Sequence, residues 1–465
     1  MTDTTPDTPA PRASAPPPRF VTGSIMRHVA VMAATAGVGL MAIFAVDVLS
    51  LLYVSWLHSD AKIAAVGFAS AILFFAMSVN IGFMIAISAL VSKALGSGDR
   101  VKARRVAGSG VALTALVSAI IGMGMFFARD AMLAGLNARG ETAEIASRFL
   151  AVTLPANIFM GFGIAFSAVL RAAGDARRAM YVTLGGGIAT AFLDPLLIFG
   201  MQLDVMGAAY ATMISRLIFC AIGYHGAVTI HGLVARPRWV DAKQDAGPLR
   251  AIAGAAVLTN IATPVGNFFL TRIMAEFGDA ALAAGAVIDR LTPLAFGGLF
   301  ALSGAVGPVI GQNWGAGLFE RMRITLTDSF KLSAGYIVVM WAVLFACRGL
   351  IVDAFHLSGQ AAELVRLFCL VSGPGWLGIG ALFVANASFN NLGAPIRATL
   401  FNWGRATLGT VPFAMIGATW RGPAGAMIGV MLAGIVFGAA ASVSAYLVLR
   451  DIAAAGLRKP APGGR

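Results

Sequence analysis

Residues 28–57 are HVAVMAATAGVGLMAIFAVDVLSLLYVSWL, a run that contains one carboxylate, Asp47, and no lysine or arginine. About 20 apolar residues are enough for a helix to cross a hydrocarbon core of about 30 Å. Similar apolar runs, separated by short charged groups, continue to the end of a chain that is 58% hydrophobic and 12% charged. The sequence therefore predicts an all-α integral membrane protein with twelve transmembrane helices, because isolated strands cannot satisfy their backbone groups in lipid.

The chain also repeats itself. SDAKIAAVG, which contains Asp60, aligns with GDAALAAGA, which contains Asp279, at an offset of 219 residues. The same offset carries ALGSGD at Gly96 onto NWGAGL at Gly315, and the register continues into the following spans. Each 219-residue repeat contains six spans, an even number, so the two repeats have the same orientation in the membrane. Two six-helix lobes related by pseudo-two-fold symmetry along the membrane normal are therefore expected, with a cleft between them.

The repeat and the polar stretches define five segments. They are a disordered cytoplasmic tail, an N-terminal six-helix lobe, a cytoplasmic linker, a C-terminal six-helix lobe and a second cytoplasmic tail. Their predicted bounds are 1–26, 27–232, 233–248, 249–450 and 451–465 respectively.

The net charge of +13 is explained by membrane orientation rather than by a nucleic-acid partner. Most connections on the side of the two termini are rich in lysine and arginine, whereas the opposite side has few such residues. Positive residues concentrate on the cytoplasmic side of membrane proteins, so both termini are expected in the cytoplasm. The three cysteines have no metal-ligand spacing and are interpreted as reduced packing residues.

Several motifs in order resemble the multidrug and toxin extrusion (MATE) family across residues 28 to 450. They are VDVLSLLYVSWL, ALVSKALGSGD, LRAAGDARRAM, FLDPLLIFG and the more specific GPVIGQNWGAG. The resemblance implies a transporter rather than an enzyme. It further implies a proton- or sodium-coupled antiporter in the bacterial inner membrane, with no cofactor beyond the coupling ion.

Two acidic residues are similar to the cation site of the DinF-like bacterial branch of this family. They are Asp47 in the first span and Asp194 in the fifth, and the branch completes the site at positions matching Thr190 and Thr212. A carboxylate inside a span costs about 2.5 kcal/mol or more on insertion scales, so it should face the bundle interior and have a function. Both carboxylates are predicted in the outer half of the membrane, where the pair could hold a proton or Na⁺.

Asn157 lies two residues after Pro155 in the fourth span. A proline kink frees backbone carbonyls, so the Asn157 amide could join a polar network beside the acidic site. Pro155 and Pro374 occupy equivalent repeat positions and are candidate hinges; a packing role is the alternative for both.

The C-terminal lobe carries a second set of charged residues within its spans: Asp289, Arg290 and Arg405. Arg290 matches the basic residue of the family's eighth span. We expect a C-terminal polar network at these three residues, with a structural salt bridge between Asp289 and Arg405 as the alternative. The seventh span has Gly266 where its repeat partner has Asp47, so cation coupling is assigned to the N-terminal lobe.

The expected function is export of amphiphilic, cationic drugs or toxic metabolites by alternating access, carried out by a monomer in the lipid bilayer. The alternative is a lipid-linked precursor flippase of the same superfamily, which should line its cleft with several arginines. An integral membrane enzyme is disfavoured because the chain has no HExxH motif, no Gly-rich phosphate loop and no clustered histidine.

Overall fold

A computed structural model describes residues 18–457, and within this range every regular element is helical. The α-helices are α1 (Ile25–Ser55), α2 (Asp60–Gly96), α3 (Arg100–Gly135), α4 (Gly140–Thr153), α5 (Asn157–Ala172), α6 (Ala176–Pro195), α7 (Val205–Tyr224), α8 (Trp239–Ala275), α9 (Asp279–Gly315), α10 (Phe319–Ala354), α11 (Gly359–Asn391), α12 (Pro395–Gly404) and α13 (Thr410–Leu457). Short π-helical segments extend α6, α7 and α12 at Leu196–Gly200, His225–Ile230 and Arg405–Gly409.

These elements make the twelve predicted membrane crossings. Helices α4 and α5 form one crossing that bends by 51° at its break. Helix α13 supplies parts of two crossings, because Arg421 and Gly422 depart from helical geometry and Gly422 has a φ of 59°. A positive φ favours glycine, which lacks a Cβ. The predicted fold class and number of spans are thus confirmed.

The crossings form two lobes, α1–α7 and α8–α13. They meet mainly where α1 packs on α9 and where α2 packs on α8 and α9. Successive crossings are antiparallel, which gives the bundle two ends. The terminal end contains the start of α1 and the end of α13. The distal end contains the two pseudo-equivalent turns α1–α2, at Ser55–Asp60, and α8–α9, at Ala275–Asp279.

Two boundaries differ from the sequence prediction. Helix α8 begins at Trp239, so about half of the predicted linker 233–248 is helical, and α13 continues to Leu457 beyond the predicted lobe boundary at 450. Asp245 stabilises the first turns of α8, because its carboxylate accepts hydrogen bonds from Ser109 (2.9 Å) and Arg105 (3.1 Å) of α3. Polar side chains within the linker thus hold it as a docked helix.

At the terminal end the lobes cross at two glycines of the repeat. A Cβ on Gly96 would collide with the Gln312 carbonyl, and a Cβ on Gly315 would collide with the Lys93 carbonyl. The two contacts exchange equivalent residues, as expected for a self-complementary two-fold contact. Small residues let membrane helices approach backbone to backbone, where they gain van der Waals contact. The Lys93 ammonium also lies 3.1 Å from the centre of the Trp314 ring, across the same boundary.

We expect Gly96→Leu to weaken this crossing, because its side chain has no room beside the α9 backbone. Overpacking of this kind costs about 1–3 kcal/mol, and the midpoint of thermal unfolding in detergent should fall accordingly. Gly67→Leu is the matched control, since Gly67 lies on the same helix and a Cβ there meets no atom within 4 Å. Equal midpoints for the two variants would contradict the close crossing.

Residues 18–24, which we call the N-terminal strap, lie across the lobe boundary at the terminal end. Phe20 is 1% exposed, and its N–H donates to the Gln312 side chain at 2.9 Å. Asn313 and Arg321 donate to the Phe20 carbonyl at 3.2 and 3.1 Å, and Arg19 donates to the Gly174 carbonyl of the N-terminal lobe at 2.9 Å. The strap therefore joins the two lobes.

The strap occupies the end of the segment predicted as a disordered tail. Residues 1–17 of that tail, and 458–465 of the C-terminal tail, lie outside the described residues. Within the described part, residues 18–26 are held by the Phe20 side chain and by the backbone hydrogen bonds of the strap. A single aromatic residue in a Pro-rich segment gave no sign of this contact in the sequence.

Phe20→Ala should loosen the terminal end, because truncation of a buried phenylalanine costs about 3–5 kcal/mol. The measurement is the rate of maleimide labelling of a cysteine placed at Ala305, which is 1% exposed in the same cluster, with the three native cysteines replaced by alanine. We expect faster labelling with Phe20→Ala and no change with Thr22→Ala, whose side chain is exposed. Equal labelling rates in the parent protein, Phe20→Ala and Thr22→Ala would show that the strap does not hold the lobes together.

The hydrophobic core shows where the lobes are closed. One cluster joins Phe20, Val29 and Ala176 to Val309 and Met322 of the C-terminal lobe, near the terminal end. At the distal end each lobe has its own cluster: one contains Val54, Ile72, Leu150 and Ile198, and the other contains Met274, Val287, Phe368 and Met427. The structure is therefore closed between the lobes at the terminal end, whereas their distal halves pack separately.

Candidate functional site

Asp194 is a carboxylate buried within the N-terminal lobe. It lies at the end of α6, immediately before Pro195, and it is 1% exposed. Ser50 of α1 donates a hydrogen bond to its Oδ2, whereas its Oδ1 is buried without a hydrogen-bond partner. An unsatisfied buried oxygen is costly, so a proton or a cation bound there would stabilise the site.

Asp47 lies one turn before Ser50 on α1, so the two side chains share a helix face. Seven residues after Asp47, on the same side of the helix, Val54 is 1% exposed within the N-terminal distal cluster. Asp47 is thus on the side of α1 that carries Ser50 and Val54, and its side chain is exposed. The two predicted carboxylates thus lie on packed helices, one buried and one accessible.

Thr190 and Thr212 lie beside this pair on α6 and α7. Thr190 lies one turn before Asp194. Its Oγ1 is 2.8 Å from the Ser215 hydroxyl and 3.1 Å from the Gly186 carbonyl. Thr212, one turn before Ser215, donates to the Ala208 carbonyl at 2.9 Å. These hydroxyls link α6 to α7 and to their own backbones, and within residues 18–457 no hydrogen bond joins either threonine to a carboxylate.

Asn157 belongs to a second polar group, formed with Asn80 of α2 and Ser118 of α3. Asn80 donates to the Asn157 side-chain oxygen at 3.2 Å, Asn157 donates to the Ser118 carbonyl at 3.1 Å, and Ser118 donates to the Asn80 side-chain oxygen at 2.5 Å. All three are at most 2% exposed. This closed triangle fixes the start of α5; in the described structure it makes no hydrogen bond to Asp47 or Asp194.

The candidate hinges differ between the lobes. Pro155 coincides with the break between α4 and α5, where Arg216 of α7 donates to the Thr153 carbonyl at 2.5 Å. The arginine satisfies a carbonyl at the end of α4, where positive charge also complements the helix dipole. Pro374 lies inside the continuous helix α11. The equivalent prolines therefore occupy a broken and an unbroken span.

The predicted C-terminal network is not assembled in this structure. Arg405 begins a π-helical segment and donates to Thr263 of α8 at 3.3 Å. Within the described residues neither Arg290 nor Arg405 forms an ion pair with Asp289, so the alternative of a salt bridge is not observed. The reason is geometric: Arg290 projects about 100° from Asp289 on the same helix, and Arg405 is directed toward α8.

Another buried carboxylate, Asp175, lies at the terminal end, outside the spans. The Asp175 carboxylate caps α6 and accepts hydrogen bonds from His231 (2.8 Å) and from the Arg178 side chain (2.5 Å). Burial alone would raise the pKa of Asp175, but the hydrogen bonds from His231 and Arg178 outweigh burial and hold this pKa well below its usual range. Asp175 thus joins the α5–α6 connection to the α7–α8 connection.

The family model described as MatE matches residues 36–196 and 255–416, one block in each lobe. The chain belongs to the MatE family. It is therefore a multi-pass membrane transporter of the MATE type and not an enzyme, and it handles small-molecule substrates in the bilayer.

Curated relatives cover most of this MATE transporter. A FAD transporter of Shewanella oneidensis is 24% identical over 428 residues, covering 90% of this chain and 93% of the relative. A probable multidrug resistance protein NorM of Thermotoga maritima is 26% identical over 396 residues, covering 82% and 83%. The multidrug export protein MepA of Staphylococcus aureus is 25% identical over 418 residues, covering 87% and 89%.

Solved structures share the fold. The Vibrio cholerae MATE transporter VcmN in the bent form has a TM-score of 0.87 at 22% identity, covering 92% of this chain and 98% of that one. A multidrug resistance MATE family transporter described in an outward-facing conformation has a TM-score of 0.85 at 18% identity, covering 96% and 100%. At these identities the likeness establishes the fold alone.

The sequence pointed to Asp47, Asp194, Thr190, Thr212 and Asn157 but not to their partners. Ser50 could have been found from its position one turn after Asp47. Ser215, Asn80 and Ser118 gave no local signal, because their contacts depend on how separate helices pack. Arg216 is recognisable as an arginine within a span, but its partner is not. Whether the five predicted residues bind the coupling cation remains a prediction.

We expect Asn157→Ala to destabilise the N-terminal lobe, because Asn80 would lose its acceptor while remaining buried. One unsatisfied buried group costs about 1–3 kcal/mol, measurable as a lower midpoint of thermal unfolding. Since Asn157 makes no hydrogen bond to a carboxylate, transport should persist at temperatures where the variant is folded. Loss of transport with unchanged stability would instead indicate that Asn157 has a direct role in function.

Proposed function

We propose that this transporter is a cation-coupled antiporter in which a proton or Na⁺ binds at Asp194 and Asp47 and drives export of an amphiphilic substrate. The observation that carries the proposal is the Asp194 carboxylate, buried within a membrane span with one oxygen lacking a hydrogen-bond partner. Carboxylates within spans usually belong to ion pathways or proton relays. Asp47, exposed on the adjoining helix, provides a route from water to this group.

The orientation follows from charge. Arginine and lysine are concentrated in the connections of the terminal end, which we place in the cytoplasm by the positive-inside rule. The distal end then faces outward, and the separate distal clusters correspond to an outward-facing state. A cation would enter from the distal end, and one charge moving inward gains about 2.3 kcal/mol per 100 mV of membrane potential.

Neutralisation of Asp194 supplies the conformational step. An ionised carboxylate requires the Ser50 hydrogen bond and hydration, whereas a neutral or cation-bound one is compatible with closer packing of α1 on α6. Because α1 also packs on α9, a shift of α1 changes the contact between the lobes. Alternating access then requires the Gly96–Gly315 crossing and the strap to open at the terminal end while the distal end closes.

The proposed substrate class is an amphiphilic, cationic drug or toxic metabolite. It is supported by two relatives whose names refer to multidrug resistance and multidrug export. The lipid-linked precursor flippase remains the alternative, since several span arginines have no carboxylate partner within residues 18–457. They do not converge, however: Arg216 bonds to Thr153, Arg405 to Thr263, and Arg171 lies between α1, α6 and Gly304 of α9. A diphosphate would require several of them in one place.

The test is ethidium efflux in proteoliposomes, with a pH gradient or a Na⁺ gradient imposed separately. We expect the wild type to move ethidium under one gradient and Asp194→Asn to be at least about tenfold slower, because the asparagine cannot take up the proton or balance the charge of Na⁺. Asp47→Asn should be impaired in the same direction. Asp353→Asn, which removes an exposed carboxylate on α10, should transport normally.

Two results would overturn the proposal. Gradient-driven efflux by Asp194→Asn at the wild-type rate would remove this residue from the coupling site. If neither gradient moved ethidium or other dyes, the same liposomes should be tested with FAD, after the Shewanella relative, and with a fluorescent lipid diphosphate, whose movement would favour the flippase.

A further inference from the structure

The C-terminal lobe encloses a cavity of about 210 Å³ in its distal half. Four helices line it: α8, α9, α11 and α13. Its lining combines one carboxylate, two neutral polar side chains and a sulfur-rich apolar wall: Asp289, Asn267, Thr271, Phe368, Met427 and Met431. Asp289, Asn267 and Thr271 are exposed, and they belong to α8 and α9, the helices that this lobe presents to the other lobe.

The carboxylate of Asp289 has no counter-ion from the protein. No ion pair in the described part of the chain includes it, since Arg290 projects about 100° away and Arg405 bonds to Thr263. An ionised group within a span is costly unless it is paired or hydrated. The cavity therefore carries negative charge that a bound cation could neutralise.

The rest of the lining selects the kind of cation. The thioethers of Met427 and Met431 can pack against the methyl groups of an alkylated ammonium, whereas a small metal ion would need more oxygen ligands than one carboxylate, one amide and one hydroxyl provide. The volume is below the range of about 300–1,000 Å³ for whole drug-sized ligands. One end of an amphiphilic cation fits, with its remainder extending from the exposed side.

The cavity lies across the molecule from the proposed coupling site. Asp289 is ten residues into α9 from the distal end, about 15 Å along the helix, and Asp47 is eight residues from the distal end of α1, about 12 Å. The repeat places Gly266 of α8 at the position of Asp47, and Asn267 immediately follows it. The two lobes thus carry their acidic groups at similar depth but on non-equivalent helices.

We propose that this cavity is the substrate subsite: it binds the ammonium head of an amphiphilic organic cation, with the positive charge beside the Asp289 carboxylate and the alkyl groups against Met427 and Met431. The proposal rests on the proposed export function and locates its substrate. Coupling ion and substrate then occupy different lobes, and they influence each other through the contact between lobes rather than by competing for one carboxylate.

The experiment is calorimetric titration of the purified full chain in lipid nanodiscs with benzyltrimethylammonium, whose charge does not depend on pH. We expect binding to the wild type and at least about tenfold weaker binding to Asp289→Asn, since loss of the partner of a poorly hydrated charge costs more than 1.4 kcal/mol, the equivalent of tenfold. The uncharged carbon isostere of the ligand should bind weakly, and equally, to both proteins.

A second variant tests the cavity itself. A Cβ on Gly285, which lines the cavity, would meet no atom within 4 Å, so Gly285→Phe can fill the space without a backbone clash. Its affinity should also fall about tenfold or more, with an unchanged unfolding midpoint. Asp353→Asn, the charge-matched control on α10, should bind as the wild type does.

Three outcomes would overturn the subsite: no binding by the wild type, wild-type affinity in Asp289→Asn and Gly285→Phe, or an equal loss in Asp353→Asn. Failure of the subsite is distinguishable from failure of the proposed function. If ethidium efflux depends on Asp194 but benzyltrimethylammonium binding does not depend on Asp289, the antiporter proposal stands and the subsite proposal is wrong. Binding that depends on Asp289 without gradient-driven efflux leaves a cation site in a protein with another activity.

Discussion

The close crossing of α2 and α9 at Gly96 and Gly315 is the contact on which the arrangement of the two lobes depends. Each glycine lies against the backbone of the other helix, at a distance that a side chain would prevent. Since both residues belong to the same place in the repeat, the contact marks the pseudo-two-fold axis at the terminal end. In lipid, where hydrophobicity does not drive helices together, such backbone approach supplies the attraction.

The crossing fixes the two lobes at the terminal end, but it leaves the distance between their distal halves free to change. The core clusters reflect this: a shared cluster near the strap and separate clusters at the distal end. Phe20 and its hydrogen bonds add to the closed end, so that opening there must break both apolar and polar contacts. Under the proposed alternating access, this interface must be reversible: large enough to hold one state and small enough to be opened by the free energy of binding one or two cations.

Symmetry of the backbone is not accompanied by symmetry of charge. Asp47 corresponds to Gly266, and residues 395–420, which include the position equivalent to Asp194, contain no carboxylate. The N-terminal acidic pair therefore has no counterpart in the C-terminal lobe. Asp289 lies instead on α9, where its N-terminal equivalent is Ser70. The broken span at Pro155, held by Arg216, likewise contrasts with the continuous helix at Pro374. Duplication thus supplied the scaffold, and substitution within spans gave the lobes different chemistry.

The sequence by itself determined the twelve spans, the two lobes and the candidate carboxylates, because span length, the 219-residue register and the cost of charge in lipid are all properties of local sequence. Only the tertiary structure decided that Ser50 bonds to Asp194, that Asn157 joins Asn80 and Ser118, and that Asp289 faces a cavity rather than Arg405. It also showed that Phe20 bridges the lobes. These contacts join residues far apart in the chain, and which of them meet depends on the packing and rotation of neighbouring helices, which no local pattern encodes.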